Sequence, residues 1–230
     1  MISAQKPNQH TASQPLVLVP IRPVGPGERG RIALHLLALN AHDRYLRFGY
    51  PASDEQLQRY VDGLDFERDE VFGIYNRRLE LIAMAHLAFA PNGECIGCAE
   101  FGVSVAEHAR GRGYGARLFE RSAVTASNEG VNTLFIHVLS ENSAMLKIAR
   151  NAGATVSRSG PESEGHLELP AATLDSRLSE MALARFAEID YQLKAHAKQL
   201  CAMLAGALRY WGAIGFAFRR PLLEIRPVHE

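Results

Sequence analysis

Hydrophobic and polar positions along this chain follow two periods, with clear punctuation where one gives way to the other. "GRIALHLLALNAHDRYLRF" (30–48) places apolar residues at helical spacing. "SDEQLQRYVDGL" (53–64) opens on Ser53 with acidic residues in its first turn, which predicts a helix start. Ahead of both, "LVLVPIRPV" (16–24) is a short apolar run ending in prolines, as an opening strand would. Three strand candidates follow in succession: "EVFGIYN", "ELIAMAHLAFA" and "ECIGCAEFGVSV". The turns between them, "NRR" and "PNG", are short enough for hairpins, so these strands are expected to be antiparallel neighbours.

Further on, "ARLFERSAVTASNEG" regains the helical period and stops at Gly130, suited to a left-handed helix end. "NTLFIHVL" reads as a buried strand, and "NSAMLKIARNAG" as a helix closed by Gly153. "ATVSRSG" and "GHLELP" read as two short final strands. The fourth and fifth main strands flank a helical crossover and should therefore run parallel, with a right-handed connection. The fold class expected is mixed α/β: a mostly antiparallel central sheet flanked by helices.

The remaining pattern is of a different kind. From Thr173 the chain holds neither Gly nor Pro until Gly206 and repeats apolar residues at Leu174, Leu178, Met181, Phe186, Ile189, Leu193, Leu200, Leu204 and Leu208. One amphipathic helix of about 50 Å is predicted, too long for a small domain to cover. It implies a partner surface, simplest as a second copy in a two-fold dimer, with folding back over its own domain as the alternative. The last stretch, "LCAMLAGALRYWGAIGFAFRRPLL", nears the length of a membrane span, but Arg209 and several glycines favour a buried or interfacial segment. The organisation expected is a disordered tail (1–14), an α/β domain (15–170) and a helical C-terminal extension (171–230).

Composition narrows the function. In 230 residues, 47% hydrophobic with a formal net charge of zero, nothing marks a disordered chain or a basic nucleic-acid binder. The polar start lacks the apolar core of a secretory signal, so a cytoplasmic location is expected. Cys95 and Cys98 form a lone "CIGC", a possible redox pair, without the second pair of ligands a zinc site normally needs; no metal is expected.

The chemistry concentrates in "RGRGYGARL" (110–118), three glycines in nine residues running into a helix. The first N–H groups of a helix lack intrahelical partners and the helix dipole is positive there, so bare backbone at such a start binds anions, typically phosphate. Gly111, Gly113 and Gly115 remove side chains that would hold a diphosphate off, and Arg110 and Arg112 add positive charge. A P-loop is excluded, for no "GK" followed by Ser or Thr stands at the required place. Gly111, Gly113 and Ala116 satisfy the dinucleotide fingerprint by letter, though that loop should follow the first strand of a parallel fold.

Arg110, Gly113 and Gly115 resemble the R/Q-x-x-G-x-G/A signature of the GNAT superfamily of acetyl-coenzyme A-dependent N-acetyltransferases. The likeness extends over about residues 16 to 170. "AEFGVSV", "YGARLFERS", "TLFIHVL" and "ENSAMLKIARNAGA" fall where that family has its cofactor half. "RYLRFGYP" and "CAEFGVSV" are similar, more particularly, to the acetyltransferase domain of bacterial protein-lysine acetyltransferases.

The resemblance implies acetyl-CoA as cosubstrate, its pantetheine lying between the splayed fourth and fifth strands and its diphosphate on the loop around Tyr114 and Ala116. It implies that Val103 and Val105 bond the pantetheine through their backbone and polarise the thioester, and that Asn142 lies near the pantetheine arm, where it equally suits a helix N-cap. Strand alternation sets Phe101, Val103 and Val105 on one face and Glu100, Gly102 and Ser104 on the other. Glu100 matches the family's catalytic glutamate and is the candidate general base, because an ammonium must lose a proton before it attacks; a salt-bridged strand glutamate is the structural alternative. Ala149 stands where many members carry the tyrosine that protonates the departing thiolate. His137 is read as a core histidine rather than a base. The acceptor, a small-molecule amine or a protein lysine, meets the first helices, including Tyr45, Arg47 and Phe48. A non-catalytic acyl-CoA sensor or assembly module and an NAD-binding oxidoreductase remain alternatives.

Overall fold

The computed structural model describes residues 18–90, 95 and 97–217, with side chains as far as Gly206. The expected 1–14 tail and the "PNG" turn lie outside those residues, as does everything after Ala217. Seven strands form one sheet in the order β1-β2-β3-β4-β5-β7-β6. They are β1 (Arg22–Pro23), β2 (Glu70–Tyr75), β3 (Leu81–Phe89), β4 (Cys98–Val105), β5 (Thr133–Leu139), β6 (Thr155–Ser159) and β7 (Glu162–Glu168). Every neighbouring pair is antiparallel except β4 and β5. The helices are α1 (Arg29–Leu37), α2 (Ala41–Phe48), α3 (Asp54–Asp62), α4 (Tyr114–Asn128), α5 (Ser143–Asn151) and α6 (Leu174–Ala217).

Two differences from the sequence pattern have local causes. The helical run 30–48 is split, because Asn40 adopts extended backbone and its side chain accepts from Asp43 N, capping α2 as a separate helix. Among the described residues the opening strand is only Arg22–Pro23 on the sheet edge, where the prolines of "PIRP" cannot donate to a ladder. Ser53 heads α3 in a full capping box with Gln56, as its position predicts.

The sheet has a packed layer on each face. Phe101, Leu118, Phe119, Leu134, Ile136 and Leu146 bring α4 and α5 onto one side. Ile32, Leu36, Leu57, Val61 and Met84 bring α1 and α3 onto the other. The pairing that decides the site is the parallel one: Cys98 faces Thr133, Ala99 faces Leu134, Glu100 faces Phe135, and there it ends.

α6 runs 44 residues, about 66 Å at 1.5 Å per residue. It does fold back over its own domain. Glu188 pairs with Arg22 at 2.6 Å, Glu180 with Arg121 at 3.1 Å, and the Tyr191 ring meets Tyr75 at 5.1 Å. Small Ala187 is buried on this side, whereas Leu174, Leu178, Met181, Ile189, Leu193 and Leu200, on the opposite side, are each at least 60% exposed. Among the described residues no helix is long and apolar enough to cross a membrane.

Candidate active site

Where β4 and β5 part company the sheet opens. Past Glu100, β4 keeps its pairing with β3 as far as Val105, while β5 turns to β7 along its whole length. The backbone edges of Phe101–Val105 and Ile136–Leu139 are thus left facing each other without a ladder. A cavity of about 670 Å³ occupies this region and is lined by Glu100, Val103, His137 and Asn142 among others. A second, of about 400 Å³, shares Glu100, His137 and Glu164 with it.

The glycine loop closes the far end of β4. Gly111 and Gly113 have φ of 75° and 74°, the left-handed region that favours glycine. Gly113 is the N-cap of α4 and, like the rest of that turn, offers no side-chain cap, so the first amides of the helix remain free. Gly115 has an additional reason for being bare: a Cβ there would sit 3.2 Å from Cδ1 of Ile148, so the glycine lets α4 close on α5. Tyr114 and Ala116 are half-buried in the same turn.

The two arginines of the loop differ. Arg110 forms an ion pair with buried Asp43 of α2, and its Nε donates to Val105 O at 3.3 Å, tying the loop to both neighbours. Arg112 is exposed and has no ion pair among the described residues.

Glu100 is exposed at the mouth of the opening. Its strand alternation is as expected: Phe101 packs on Phe119 of α4 at 4.9 Å, while Ser104, on the other face, meets His35 of α1 at 2.8 Å. Val103 and Val105 pack against the α4 side. Asn142 caps α5, its Oδ1 accepting from Met145 N at 3.1 Å, and still lines the cavity. Ala149 is buried in the core and lines neither cavity, so that position supplies no acid.

His137 corrects the sequence reading. It is exposed and not in the core, with its ring stacked parallel to Phe135 on the cavity wall. The cause is strand alternation: Leu134, Ile136 and Val138 take the buried face of β5, and His137 takes the other. Tyr45 does not line either cavity, whereas Arg47 and Phe48 do. Cys95 and Cys98 are joined by a disulfide at the start of β4. Among the described residues no group of His, Cys, Asp and Glu is arranged to hold a metal ion.

Sequence reasoning missed a half-buried polar chain beneath the site. Arg47 Nη2 donates to Tyr60 Oη at 3.1 Å, Tyr60 Oη lies 2.8 Å from His86 Nδ1, and His86 Nε2 lies 3.1 Å from Asp69 Oδ2. Burial lowers the pKa of His86 and raises that of Tyr60. The carboxylate only accepts, so the neutral ring carries its proton on Nε2, and Tyr60 donates to Nδ1. Three elements contribute one residue each to the Arg47–Tyr60–His86 part of this chain, and no short motif links them.

The family model described as an acetyltransferase (GNAT) domain matches residues 19–155. The chain belongs to the GNAT acetyltransferase family. Among solved structures the GNAT domain of S. lividans PAT is similar at 22% identity, covering 66% of this chain and 95% of that one, with a TM-score of 0.57. A GCN5-related N-acetyltransferase from Kribbella flavida follows at 17% identity, 66% and 98% coverage and a TM-score of 0.56. Comparison with curated proteins gave no match.

GNAT acetyltransferases use acetyl-CoA as cosubstrate, and the residues of this GNAT domain fit it. The unpaired strand edges can accept an extended pantetheine arm, and the uncapped α4 amides with Gly111 and Gly113 can accept a diphosphate.

Proposed function

We propose that this GNAT acetyltransferase transfers an acetyl group from acetyl-CoA to a primary amine by direct attack in a ternary complex. The observation that carries the reading is the end of β4–β5 pairing at Glu100, which puts a carboxylate beside the gap that suits the pantetheine. Val103 and Val105 bond the pantetheine through the open edge of β4. Arg110 anchors the loop through Asp43, Arg112 offers its free charge to the phosphates, and Asn142 presents its amide N–H groups to the arm. When bound, acetyl-CoA supplies the activated thioester. Glu100 takes the ammonium proton directly or through a water, and a backbone N–H of β4 stabilises charge on the carbonyl oxygen. Water protonates the leaving thiolate, since Ala149 cannot. Glu100→Gln tests this: turnover should fall on the order of 10²-fold with acetyl-CoA binding retained.

The buried Ala149 favours one second reading, a module that binds acyl-CoA without fast chemistry. Transfer to any member of a broad amine screen discards it. The nicotinamide alternative has less support, because the loop follows the third strand of an antiparallel meander.

A homodimer through α6 completes the proposal. Leu174, Leu178, Met181, Ile189, Leu193 and Leu200 of α6 point away from the domain that the helix rests on, and they continue as an exposed stripe past Lys198, which bonds Arg78 O. A stripe with the same chemistry throughout its length is complementary to itself under a two-fold axis, so a second copy is the occupant. A cytoplasmic location, beside the acyl-CoA pool, accords with this function.

A further inference from the structure

Arg47 keeps more of its donors unspent than the arginines packed around the neighbouring helices α1 and α3. Arg22, Arg44, Arg68, Arg110 and Arg121 each meet a carboxylate, and Arg29 spends its donors on the carbonyls of Val61, Asp62 and Leu64. Arg47 has none within ion-pair distance among the described residues; its one hydrogen bond is to a neutral phenol. A guanidinium carries five N–H donors, so most of this fork is unspent, and it lines the larger cavity.

Its placement is fixed from three sides. The Tyr60–His86–Asp69 chain holds Nη2, and Phe48 lies under the guanidinium at 5.1 Å. Below it is Gly102 of β4, where a Cβ would come within 2.3 Å of Nη2 and 2.4 Å of Cζ. The glycine thus lets a cation rest on the strand that carries the general base. Glu100 and Gly102 are two residues apart on one face of β4, about 7 Å along the strand. An ammonium at Glu100 and an anion at Arg47 would be separated by the span of a small amino acid.

Resting on the acetyltransferase reading above, we propose that Arg47 is a carboxylate-binding residue and that the acceptor is a small amino acid, its amine directed to Glu100 and its carboxylate held by the Arg47 fork. A planar fork favours a planar carboxylate bidentately, and a carboxylate left without it would be desolvated for no return. A lysine side chain of a protein offers no carboxylate within that reach of its amine.

The test uses the full chain with acetyl-CoA and the twenty amino acids, with matched amines that lack only the carboxylate: phenethylamine for phenylalanine, cadaverine for lysine, 3-methylbutylamine for leucine. At least one amino acid should be acetylated with kcat/KM tenfold or more above its matched amine. In Arg47→Gln its KM should rise tenfold or more, with Arg47→Lys recovering part of the loss and with stabilisation by acetyl-CoA unchanged. Tyr60→Phe, which only loosens the fork, should give a smaller rise and guards against misfolding of the arginine variants. Equal use of amine and amino acid, transfer to protein lysines alone, or a carboxylate preference that appears only when succinyl-CoA is compared with butyryl-CoA overturns the inference while leaving the acetyltransferase standing. Failure of acetyl-CoA to stabilise the wild-type chain overturns both.

Discussion

Glu100 of β4 and Phe135 of β5 form the last rung of the parallel ladder, and beyond them the two strands share no pairing. The general-base candidate therefore stands at the point where the sheet opens. On one side Glu100 is carried by an unbroken antiparallel pairing with β3, so the edge that is given up is only the one facing β5.

The loop arginines should respond differently to substitution. Arg112→Ala removes a free cation and should weaken coenzyme A binding about fivefold, an effect of about 1 kcal/mol that shrinks in high salt. Arg110→Ala breaks the tie to Asp43 and should lower the melting temperature as well. Calorimetric titration of both variants at two salt concentrations, with melting curves, separates the roles.

The long helix should be both a support and an interface. Arg121 is buried with its Nη2 paired to Glu180, and its Nε has no hydrogen-bond partner. Glu180→Ala leaves that cation unpaired and should cost about 3 kcal/mol of unfolding free energy in urea. Leu193→Glu with Leu200→Glu, on the exposed side, should leave stability of the domain nearly unchanged and shift sedimentation from dimer to monomer. Retention of the dimer in that double variant would remove the proposed interface.

His35 gives the fold an acid sensitivity of known sign. Buried between Leu81 O and Ser104 Oγ, it has its pKa pulled down to about 4, chiefly by desolvation. The unfolded chain takes up this proton near pH 6.5, so stability should fall as pH drops from about 6.5 to about 4, by up to roughly 3 kcal/mol. Chemical denaturation across that range should show the slope, and His35→Gln should flatten it.

Much of this was legible in the sequence because local chemistry and tertiary structure agree. Ser53, Gly130 and Gly153 end or begin helices where the pattern placed them, and "RGRGYGARL" marks the loop by residue type alone. The split at Asn40 was not legible, since the apolar period runs through it and only the cap reveals the break. His137 was misread because a strand's period separates its residues into two faces without saying which of the two is buried. The Arg47–Tyr60–His86–Asp69 chain joins α2, α3, β3 and the segment before β2, and such long-range convergence leaves no signature in spacing.

The central claim is that the opening between β4 and β5, with the α4 amides, holds acetyl-CoA. Thermal unfolding of the purified chain with acetyl-CoA, coenzyme A and NAD side by side tests it most directly. At about 100 times its dissociation constant, acetyl-CoA should add about 2.7 kcal/mol and raise the midpoint by several degrees. Gly113→Asp, which sets a charge and a side chain on a left-handed N-cap, should abolish the rise while the chain still folds. A midpoint that moves only with NAD, or does not move at all, would contradict the account.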